Sequence, residues 1–256
     1  MTELLQLRDI SKRFGGVKAL KGINLSIPEG AIYGLIGPNG AGKTTLFNII
    51  TGMYTADTGT RVLRGQALPL TLKPYEIVIR GIARTFQNIR LFHYMSALEN
   101  IMVGCHRHSG IGLFATLFNT ASARAQEASI RARAFELLDY VGLSRSCASR
   151  LASELSYGDQ RRLEIARALA TRPSLLALDE PAAGMNPTET EALRVLLTRI
   201  RNDGITVLLI EHDVKLMMSL CDRLAVLDFG ELIAEGEPAA IRQDPRVIAA
   251  YLGGEA

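Results

Sequence analysis

Hydrophobic and polar residues alternate along the first thirty positions of the chain. The runs LLQLRDI and ALKGINLSI both show this period of two, which predicts strands that pair in an antiparallel edge. After a turn at residues 28–30, the apolar run AIYGLI is typical of a buried strand, and residues 43–51 then follow a helical pattern. RVLRG and GIARTF predict two more strands, on either side of a short helix near PYEIVIR.

A helical period replaces this alternation between residues 88 and 155. Ser96 and Glu99 have the spacing of a capping box, which predicts a helix start, and apolar residues recur at helical spacing farther along. We therefore expect a helical subdomain at residues 88–155, inserted between the two parts of a core, residues 1–87 and 156–256.

Helices and buried strands alternate in the second half of the chain. LLALDE, ITVLLI and RLAVLDF predict strands, and a helix is expected at residues 188–203 with a capping box at Thr188 and Glu191. The tail, from about residue 237 to residue 256, predicts small helices packed on the body. Such alternation is typical of a mostly parallel sheet covered on both faces, so the sequence predicts one α/β domain over residues 1–256.

Composition and charge narrow the possible functions. Hydrophobic residues make up 48% of the 256 positions, enough to fill a substantial core. There are 29 Lys and Arg residues against 26 Asp and Glu residues, a formal net charge of +3, and these charges are scattered. Because no basic stripe is present, the sequence gives no support for binding to nucleic acid.

The cysteines and the apolar segments bear on location. Three widely spaced cysteines fit neither a disulfide framework nor a CxxC metal site, which suits a reducing compartment, and the first residues lack the apolar run of a secretory signal. We therefore expect a cytoplasmic protein. The uncharged run at residues 109–123 is too short to cross a bilayer. It either packs within the helical subdomain or forms an apolar surface near a membrane partner.

A phosphate-binding motif follows the first buried strand. GPNGAGKTT, residues 37–45, fits G-x-x-x-x-G-K-[ST] between a strand and a helix, a match that average composition gives by accident only about once in a hundred chains of this length. The glycines let backbone N–H groups surround a β-phosphate, Lys43 reaches the β and γ oxygens, and the Thr44 hydroxyl is expected to bind Mg²⁺. The predicted nucleotide-binding residues are Gly37, Pro38, Asn39, Gly40, Ala41, Gly42, Lys43, Thr44 and Thr45.

Two adjacent carboxylates end the buried strand in LLALDEP. Asp179 is placed to hold Mg²⁺, directly or through a water, and Glu180 can polarise a water for in-line attack on a γ-phosphate. An ordinary helix cap or a solvated pair is the alternative interpretation of two such carboxylates.

Three further segments distinguish among the phosphate-loop families. No Asn precedes a Lys anywhere in the chain, so the guanine-reading N-K-x-D motif of GTPases is absent. LSYGDQ, Gln87 in RTFQNIRLF and His212 in LLIEHD, in this combination and order, resemble the nucleotide-binding subunit of an ATP-binding cassette (ABC) transporter. The resemblance covers nearly the whole chain. RFGGVKAL, IARTFQNIRLFHYMSALENIMVG, LSYGDQRRLEIARAL and DEPAAGMNPTET resemble, more narrowly, the ATP-binding subunit of bacterial high-affinity branched-chain amino acid importers.

The resemblance implies the fold and several roles around one nucleotide. The implied fold is a P-loop NTPase cassette with a mostly parallel core sheet, an antiparallel N-terminal β edge and a helical subdomain. Phe14 matches the aromatic residue that stacks on adenine, with a strand-end core residue as the alternative. Gln87 matches the glutamine that reaches Mg²⁺ and the attacking water. His212 matches the histidine that contacts the γ-phosphate, or else it is structural.

The resemblance also implies a second cassette, identical or homologous to the first. Ser156, Tyr157 and Gly158 would approach the γ-phosphate of the nucleotide bound to that partner, so that two ATP molecules are buried between head-to-tail cassettes. The commonest form of this motif is LSGGQ, and here Tyr157 takes the place of a glycine while Asp159 separates Gly158 from Gln160. The loop that crosses to the partner contains Gly184, Met185 and Asn186.

As implied by the resemblance, the function is ATP hydrolysis, with ATP and Mg²⁺ as cofactors, that powers import of Leu, Ile and Val across the bacterial inner membrane. The expected partners are the second cassette, two transmembrane permease subunits and, indirectly, a periplasmic amino acid-binding protein, which places the chain peripherally on the cytoplasmic face. The alternatives are the ATPase of a lipopolysaccharide or lipid exporter, that of another amino acid importer, and a soluble ABC ATPase outside transport. Soluble types carry a long coiled coil or two cassettes per chain, and neither feature is visible here.

Overall fold

The structure, a computed structural model, describes residues 2–106 and 121–252. The chain divides into two compact units, and the first comprises Met1–Arg84, Ser174–Ala182 and Arg194–Ala256. The second comprises Thr85–Pro173 and Ala183–Leu193, a range that contains the predicted helical segment. Most of the uncharged run at residues 109–123 lies outside the described residues.

The first unit contains two β-sheets. The first has the order β2-β1-β4-β5 and antiparallel pairs, and the second has the order β10-β9-β3-β8-β7-β6. Within the described residues the strands are β1 (Glu3–Phe14), β2 (Val17–Pro28), β3 (Ile32–Ile36), β4 (Thr58–Leu63), β5 (Gln66–Leu68), β6 (Ile82–Arg84), β7 (Leu175–Asp179), β8 (Thr206–Ile210), β9 (Arg223–Asp228) and β10 (Glu231–Gly236).

The predicted antiparallel N-terminal strands are confirmed. β1 and β2 pair with each other as expected, and they form a four-stranded sheet with β4 and the short β5 rather than joining the sheet that contains β3. The alternating sequence fits the arrangement, because apolar residues such as Leu5, Leu7 and Ile23 are buried while polar residues such as Arg8 and Asn24 are exposed.

The second sheet is mostly parallel, also as predicted. β3 pairs in parallel with β8 and β9, and β7 pairs in parallel with β6 and β8, whereas β10 pairs antiparallel with β9 at one edge. The carboxyl ends of parallel strands meet at one edge of a sheet. The order β3-β8-β7 therefore brings the segments that follow these three strands side by side.

Helices connect the strands and form most of the second unit. The Ser96–Glu99 capping box is confirmed, since the Glu99 N–H donates to Ser96 Oγ at 3.2 Å and the Ser96 N–H donates to Glu99 Oε2 at 2.7 Å. The described helices are α1 (Lys43–Ile50), α2 (Pro74–Ile79), α3 (Ala97–Cys105), α4 (Ala121–Tyr140), α5 (Tyr157–Ala170), α6 (Pro187–Asn202), α7 (Val214–Leu220), α8 (Pro238–Gln243) and α9 (Pro245–Leu252).

The predicted capping box of α6 is wrong by two residues. Asn186 Oδ1 accepts a hydrogen bond from the Glu189 N–H at 3.0 Å, and Glu189 Oε2 accepts one from the Asn186 N–H at 3.0 Å. Asn186 therefore caps the helix in place of Thr188. The reason is that Pro187 fits the first helical position, where its fixed φ is favourable and its missing N–H costs nothing.

A buried arginine completes the end of α1. Arg61 Nη1 donates to the carbonyl oxygens of Ile49 at 2.6 Å and Ile50 at 3.0 Å, and Nη2 donates to that of Pro69 at 2.9 Å. The bonds to Ile49 and Ile50 lie in the last turn of α1, where carbonyl oxygens lack part of their helical hydrogen bonding. Burial lowers the pKa of Arg61 to about 10. Arg61 thus fixes, from its far end, the helix that begins at Lys43.

The C-terminal small helices are confirmed as α8 and α9. Among the residues that the structure describes, no helix has both the length and the hydropathy needed to cross a membrane.

Candidate nucleotide site

The phosphate-binding motif forms the loop between β3 and α1, as the sequence predicts. Steric crowding requires glycine at two positions of this loop. A Cβ at Gly37 would lie 2.1 Å from the carbonyl oxygen of Leu227, and one at Gly42 would lie 2.7 Å from that of Ala19. Both residues also have positive φ, at 149° and 102°, where side chains are strained. The close approach of neighbouring strands therefore sets the path of the loop.

Lys43 lies inside this loop. Its Nζ donates hydrogen bonds to the carbonyl oxygens of Gly37 at 2.7 Å and Pro38 at 2.8 Å, and the residue is buried. Burial lowers the pKa of Lys43, and the negative charge of Glu180 partly offsets this effect. The Lys43 ammonium group, in the first turn of α1, therefore lies among the loop residues that are predicted to bind phosphate.

A cavity of about 660 Å³ lies against the loop, within the first unit. Residues 39–45 form one side, and residues 16–19 of the β1–β2 hairpin and its turn form another. The remaining lining residues are Arg13, Lys21, Glu180, His212, Phe229 and Gly230. The volume is within the range of small-molecule and cofactor sites.

The charge of this cavity favours an anion. Arg13, Lys18, Lys21 and Lys43 contribute four basic side chains, whereas Glu180 is the one carboxylate among the described residues that line it. Backbone N–H groups at the start of α1 add a positive potential. The combination suits a polyphosphate.

Glu180 and His212 follow the adjacent strands β7 and β8, and the structure brings them together. His212 Nε2 lies 2.8 Å from Glu180 Oε1, within hydrogen-bond distance. Glu180 has a φ of +46°, an unusual value for a residue other than glycine, and its N–H donates to the carbonyl oxygen of Ile210 at 3.0 Å. Such strain is typical of functional sites.

Glu211, which no sequence motif indicated, fixes the two segments that contain Glu180 and His212. Its carboxylate accepts hydrogen bonds from the N–H groups of Ala182 at 2.6 Å and His212 at 3.1 Å. Burial raises the pKa of Glu211, against the lowering effect of these two bonds. The position of Glu211 directly after a buried strand was a weak indication of a role, because attention falls on the next residue, His212.

Asp179 and Thr44 provide the oxygen donors that suit a magnesium ion. Asp179 ends β7 as a buried carboxylate, and Thr44 lies in the first turn of α1 beside the phosphate loop. The described residues contain no group of three or more His, Cys, Asp and Glu side chains that could hold a metal by themselves. This donor set fits Mg²⁺, which typically takes one or two protein ligands and completes its shell with phosphate oxygens and water.

Phe14 is not among the residues that line the cavity. The residue is 44% exposed, so its interpretation as a core residue at the end of a strand is wrong. The ring packs edge-on against Tyr54, with centroids 5.4 Å apart, and Lys12 Nζ lies 5.5 Å from its centre. Phe14 ends β1, and residues 13 and 16 on either side of it do line the cavity.

Gln87 lies in the second unit, where its backbone is held firmly. Its carbonyl oxygen accepts a hydrogen bond from Arg161 Nη2 at 2.7 Å, and that of Phe86 accepts one from Nη1 at 2.6 Å. Arg161 is fully buried and pairs with Glu164 at 3.0 Å on the next turn of α5. The sequence gives no sign of this buried ion pair, because two charged residues three positions apart on a helix are usually solvated.

The residues assigned to the partner's nucleotide lie together in the second unit. Ser156 caps α5, because its Oγ accepts a hydrogen bond from the Asp159 N–H at 3.2 Å. Tyr157 is half-exposed, and its Oη accepts a hydrogen bond from Arg161 at 3.2 Å. Gly158 adjoins α6, because a Cβ there would lie 2.7 Å from Glu189 Oε1. The predicted helix start is confirmed.

The loop expected to cross to a partner adjoins the same residues. A Cβ at Gly184 would lie 3.5 Å from Cε1 of Tyr157, so the tyrosine ring rests beside this loop. Met185 and Gly158 line a common cavity of about 140 Å³, and Asn186 caps α6. Tyr157, the departure from the common form of the motif, is therefore accommodated by a glycine with positive φ.

Comparison with known proteins agrees with this arrangement. Residues 20–183 match the family model for ABC transporters, and residues 231–256 match a model described as branched-chain amino acid ATP-binding cassette transporter. The chain is 46% identical over 251 residues to the high-affinity branched-chain amino acid transport ATP-binding protein BraF of Pseudomonas aeruginosa, with 98% of both chains covered. It is 47% identical to the corresponding protein LivG of Escherichia coli K12, again with 98% of both covered.

Solved structures show the same fold. An ATP-binding cassette of an ABC transporter in its ADP conformation gives a TM-score of 0.84 at 35% identity, over 99% of this chain and 100% of that one. A dimeric cassette in a post-hydrolysis state with ADP and phosphate gives a TM-score of 0.77 at 28% identity, over 92% and 99%. With the phosphate loop, the paired strand ends and these matches in agreement, the chain belongs to the ATP-binding proteins of the ABC transporter family.

Proposed function

We propose that this chain binds and hydrolyses ATP as the energy-supplying subunit of an ABC transporter, and that the hydrolysis drives import of Leu, Ile and Val. The observation that carries the ATPase proposal is the basic cavity in which the phosphate loop faces Glu180 and His212. The cargo follows from the named functions of BraF and LivG and from the match of the C-terminal residues.

The phosphate loop binds the triphosphate in this proposal. Residues Gly37–Thr45 direct N–H groups to it, the Lys43 ammonium contacts the β and γ oxygens, and Phe14 stacks on the adenine. Thr44, Asp179 and Gln87 would hold magnesium, which would neutralise negative charge on the phosphates. A lysine that donates to two carbonyls at 2.7 and 2.8 Å exchanges those bonds for stronger ones to phosphate, in which both partners are charged.

Glu180 acts as the general base. A water oxygen forms a bond to the γ-phosphorus as the bond from that phosphorus to the ADP oxygen breaks, and the water proton passes to the Glu180 carboxylate. His212 contacts the transferred phosphoryl group and, at 2.8 Å, orients the Glu180 carboxylate. Gln87 helps to position the attacking water.

A second cassette, identical or homologous, completes each site. Ser156, Tyr157 and Gly158 approach the γ-phosphate bound by the partner, and the loop with Gly184, Met185 and Asn186 crosses to it. Support comes from the helix start at Ser156, whose N–H groups suit an anion, and from the dimeric solved cassette. Loss of the γ-phosphate contacts after hydrolysis then separates the two cassettes.

Hydrolysis acts on transport through other polypeptides. We place the chain peripherally on the cytoplasmic face of the inner membrane, bound to two transmembrane permease subunits that receive amino acids from a periplasmic binding protein. Because a cassette does not touch cargo, an ATPase of a lipopolysaccharide or lipid exporter or of another amino acid importer is the second candidate, with the same site chemistry.

Reconstitution tests both parts of this proposal. The chain is purified with the proposed permease subunits, placed in proteoliposomes with the binding protein, and supplied with ATP and Mg²⁺. We expect ATP-dependent uptake of labelled leucine, which Lys43→Ala abolishes. Hydrolysis without uptake of leucine, isoleucine or valine contradicts the cargo, and an absence of Lys43-dependent hydrolysis contradicts the ATPase.

A further inference from the structure

Arg84 connects two parts of the nucleotide site, although it belongs to none of the motifs identified in the sequence. It ends β6, beside β7, and its side chain is 11% exposed. Nη2 donates to Asp179 Oδ2 at 3.0 Å, while Nη1 donates to Asn48 Oδ1 at 2.7 Å and to Thr51 Oγ1 at 2.9 Å. One arm of the guanidinium thus holds the end of β7, and the other holds α1.

The contacts on α1 fall on the face that begins at Thr44. Thr44, Asn48 and Thr51 are spaced by four and three residues, which places them on one side of a helix. Thr44 occupies the first turn of that face, where its hydroxyl is proposed to bind Mg²⁺. Asp179 is the other proposed ligand within the first unit. Arg84 therefore bridges the helix and the strand that carry these two ligands.

The guanidinium itself is held rigidly. Its carbon lies 4.8 Å from the centre of the Phe47 ring, so a cation–π contact adds to the hydrogen bonds. A planar fork can bond two elements at fixed angles, which the single ammonium of a lysine cannot do. Balancing the charge of Asp179 alone would not require the bonds to Asn48 and Thr51.

We propose that Arg84 is a positioning residue for the proposed magnesium site. It sets the distance between the Asp179 carboxylate and the Thr44 face of α1, so that both present oxygens to the same cation. The proposal rests on the proposed function, in which these two residues bind the metal. Groups that orient metal ligands typically change metal affinity by about 10-fold to 100-fold when replaced.

Binding measurements separate this role from a structural one. ATP affinity is measured in the full-length chain carrying Glu180→Gln, which the proposed mechanism expects to slow hydrolysis. A fluorescent ATP analogue is displaced once with EDTA and once with free Mn²⁺ as the metal probe. Bound Mn²⁺ is counted by electron paramagnetic resonance. We expect Arg84→Lys to reduce the Mn²⁺-dependent gain in ATP affinity by about 10-fold and to leave the affinity in EDTA within about twofold.

Two further variants sharpen the test. Asn48→Ala combined with Thr51→Ala keeps the charge of Arg84 and removes its bonds to α1. A positioning role therefore predicts the same reduction of the Mn²⁺-dependent gain in ATP affinity. Arg80→Lys, at an exposed arginine after α2, serves as the matched control and should change nothing. The proposal is overturned if Arg84→Lys or the double variant keeps the full Mn²⁺-dependent gain in ATP affinity. It is also overturned if ATP affinity falls equally with and without metal.

The failure of the proposed function would look different. Asp179→Asn should remove the Mn²⁺ gain. If it does not, Asp179 is not the metal ligand, and the proposed site falls together with the role of Arg84. If Asp179→Asn removes the gain and Arg84→Lys does not, the metal site stands and only the positioning role is overturned.

Discussion

His212 Nε2 lies 2.8 Å from Oε1 of Glu180, across the ends of two neighbouring parallel strands. The Glu211 carboxylate holds the backbone on both sides of this contact, through the N–H groups of Ala182 and His212. The imidazole is half-exposed while the Glu180 side chain is largely buried. A base that is held by its neighbours in this way needs little reorganisation before it accepts a proton.

Glu180→Gln should separate ATP binding from hydrolysis. An amide keeps the size of the side chain and its contact with His212 but cannot accept the water proton, so we expect turnover to fall by about 10²-fold or more. ATP binding should persist, and the variant should accumulate as a closed pair with ATP and Mg²⁺. The measurements are phosphate release and gel filtration.

The control for that variant is Glu136→Gln, at an exposed glutamate of α4 paired with Arg133. It should retain the turnover of the unaltered chain. A Glu180→Gln chain that stays unpaired with ATP and Mg²⁺ speaks against the mechanism.

Ser156→Ala tests whether a partner completes the site. Ser156 and Ser96 are both helix caps, so each change to alanine should cost about 1 kcal/mol of stability for the same reason. Of these two serines, only Ser156 is assigned to the γ-phosphate bound by a partner. We therefore expect Ser156→Ala to lower ATP turnover by at least about 10-fold, as for a lost transition-state contact, and Ser96→Ala to leave it nearly unchanged.

Dilution provides a second measurement of the same claim. Turnover per chain should decline as the concentration falls, because separate cassettes each lack part of a site. Constant turnover over a wide dilution range, or equal effects of the two serine changes, contradicts composite catalysis.

Gly34→Ala should destabilise the first unit. A Cβ at Gly34 would lie 2.5 Å from Leu224 Cδ2, 2.6 Å from Met217 Cε and 2.8 Å from Cys221 Sγ. Overpacking of this kind typically costs about 1–3 kcal/mol of unfolding free energy. Gly16→Ala is the matched control, since a Cβ there meets no atom within 4 Å. Urea unfolding of both variants is the measurement, and equal midpoints would refute the packing argument.

Ionisation of Cys221 should lower the free energy of unfolding at high pH. Burial, reinforced by the negative charge of Asp222, raises the pKa of the Cys221 thiol to about 12. In the unfolded chain a thiol ionises near pH ~8.5, so above that pH the unfolded state loses a proton that the native state keeps. The free energy of unfolding therefore falls by about 1.4 kcal/mol per pH unit from this group, until the native thiol ionises.

The test is the slope of unfolding free energy against pH between pH 9.5 and 11. Cys221→Ala should make that slope shallower by about one proton equivalent, even though the cavity it leaves lowers stability at every pH. An unchanged slope shows that the native thiol ionises as readily as the unfolded one.

Short-range signals were reliable guides to this fold. The phosphate loop lies between the strand and the helix that its motif requires, and Ser96 and Glu99 form the expected box. The cap of α6 was misplaced because Thr188 and Asn186 both have a suitable partner three residues on, and the choice depended on Pro187.

By itself, the sequence determined the elements that arise from adjacent residues: the apolar strands, the glycine loop before Lys43 and the helix start at Ser156. Only the tertiary structure decided which distant groups meet, such as Arg84 with Asp179, Arg61 with the end of α1, and Glu211 with Ala182. The physical reason is that loop and helix starts depend on local backbone geometry. A buried charge, in contrast, is stable only where the packing of separate strands and helices brings it a partner.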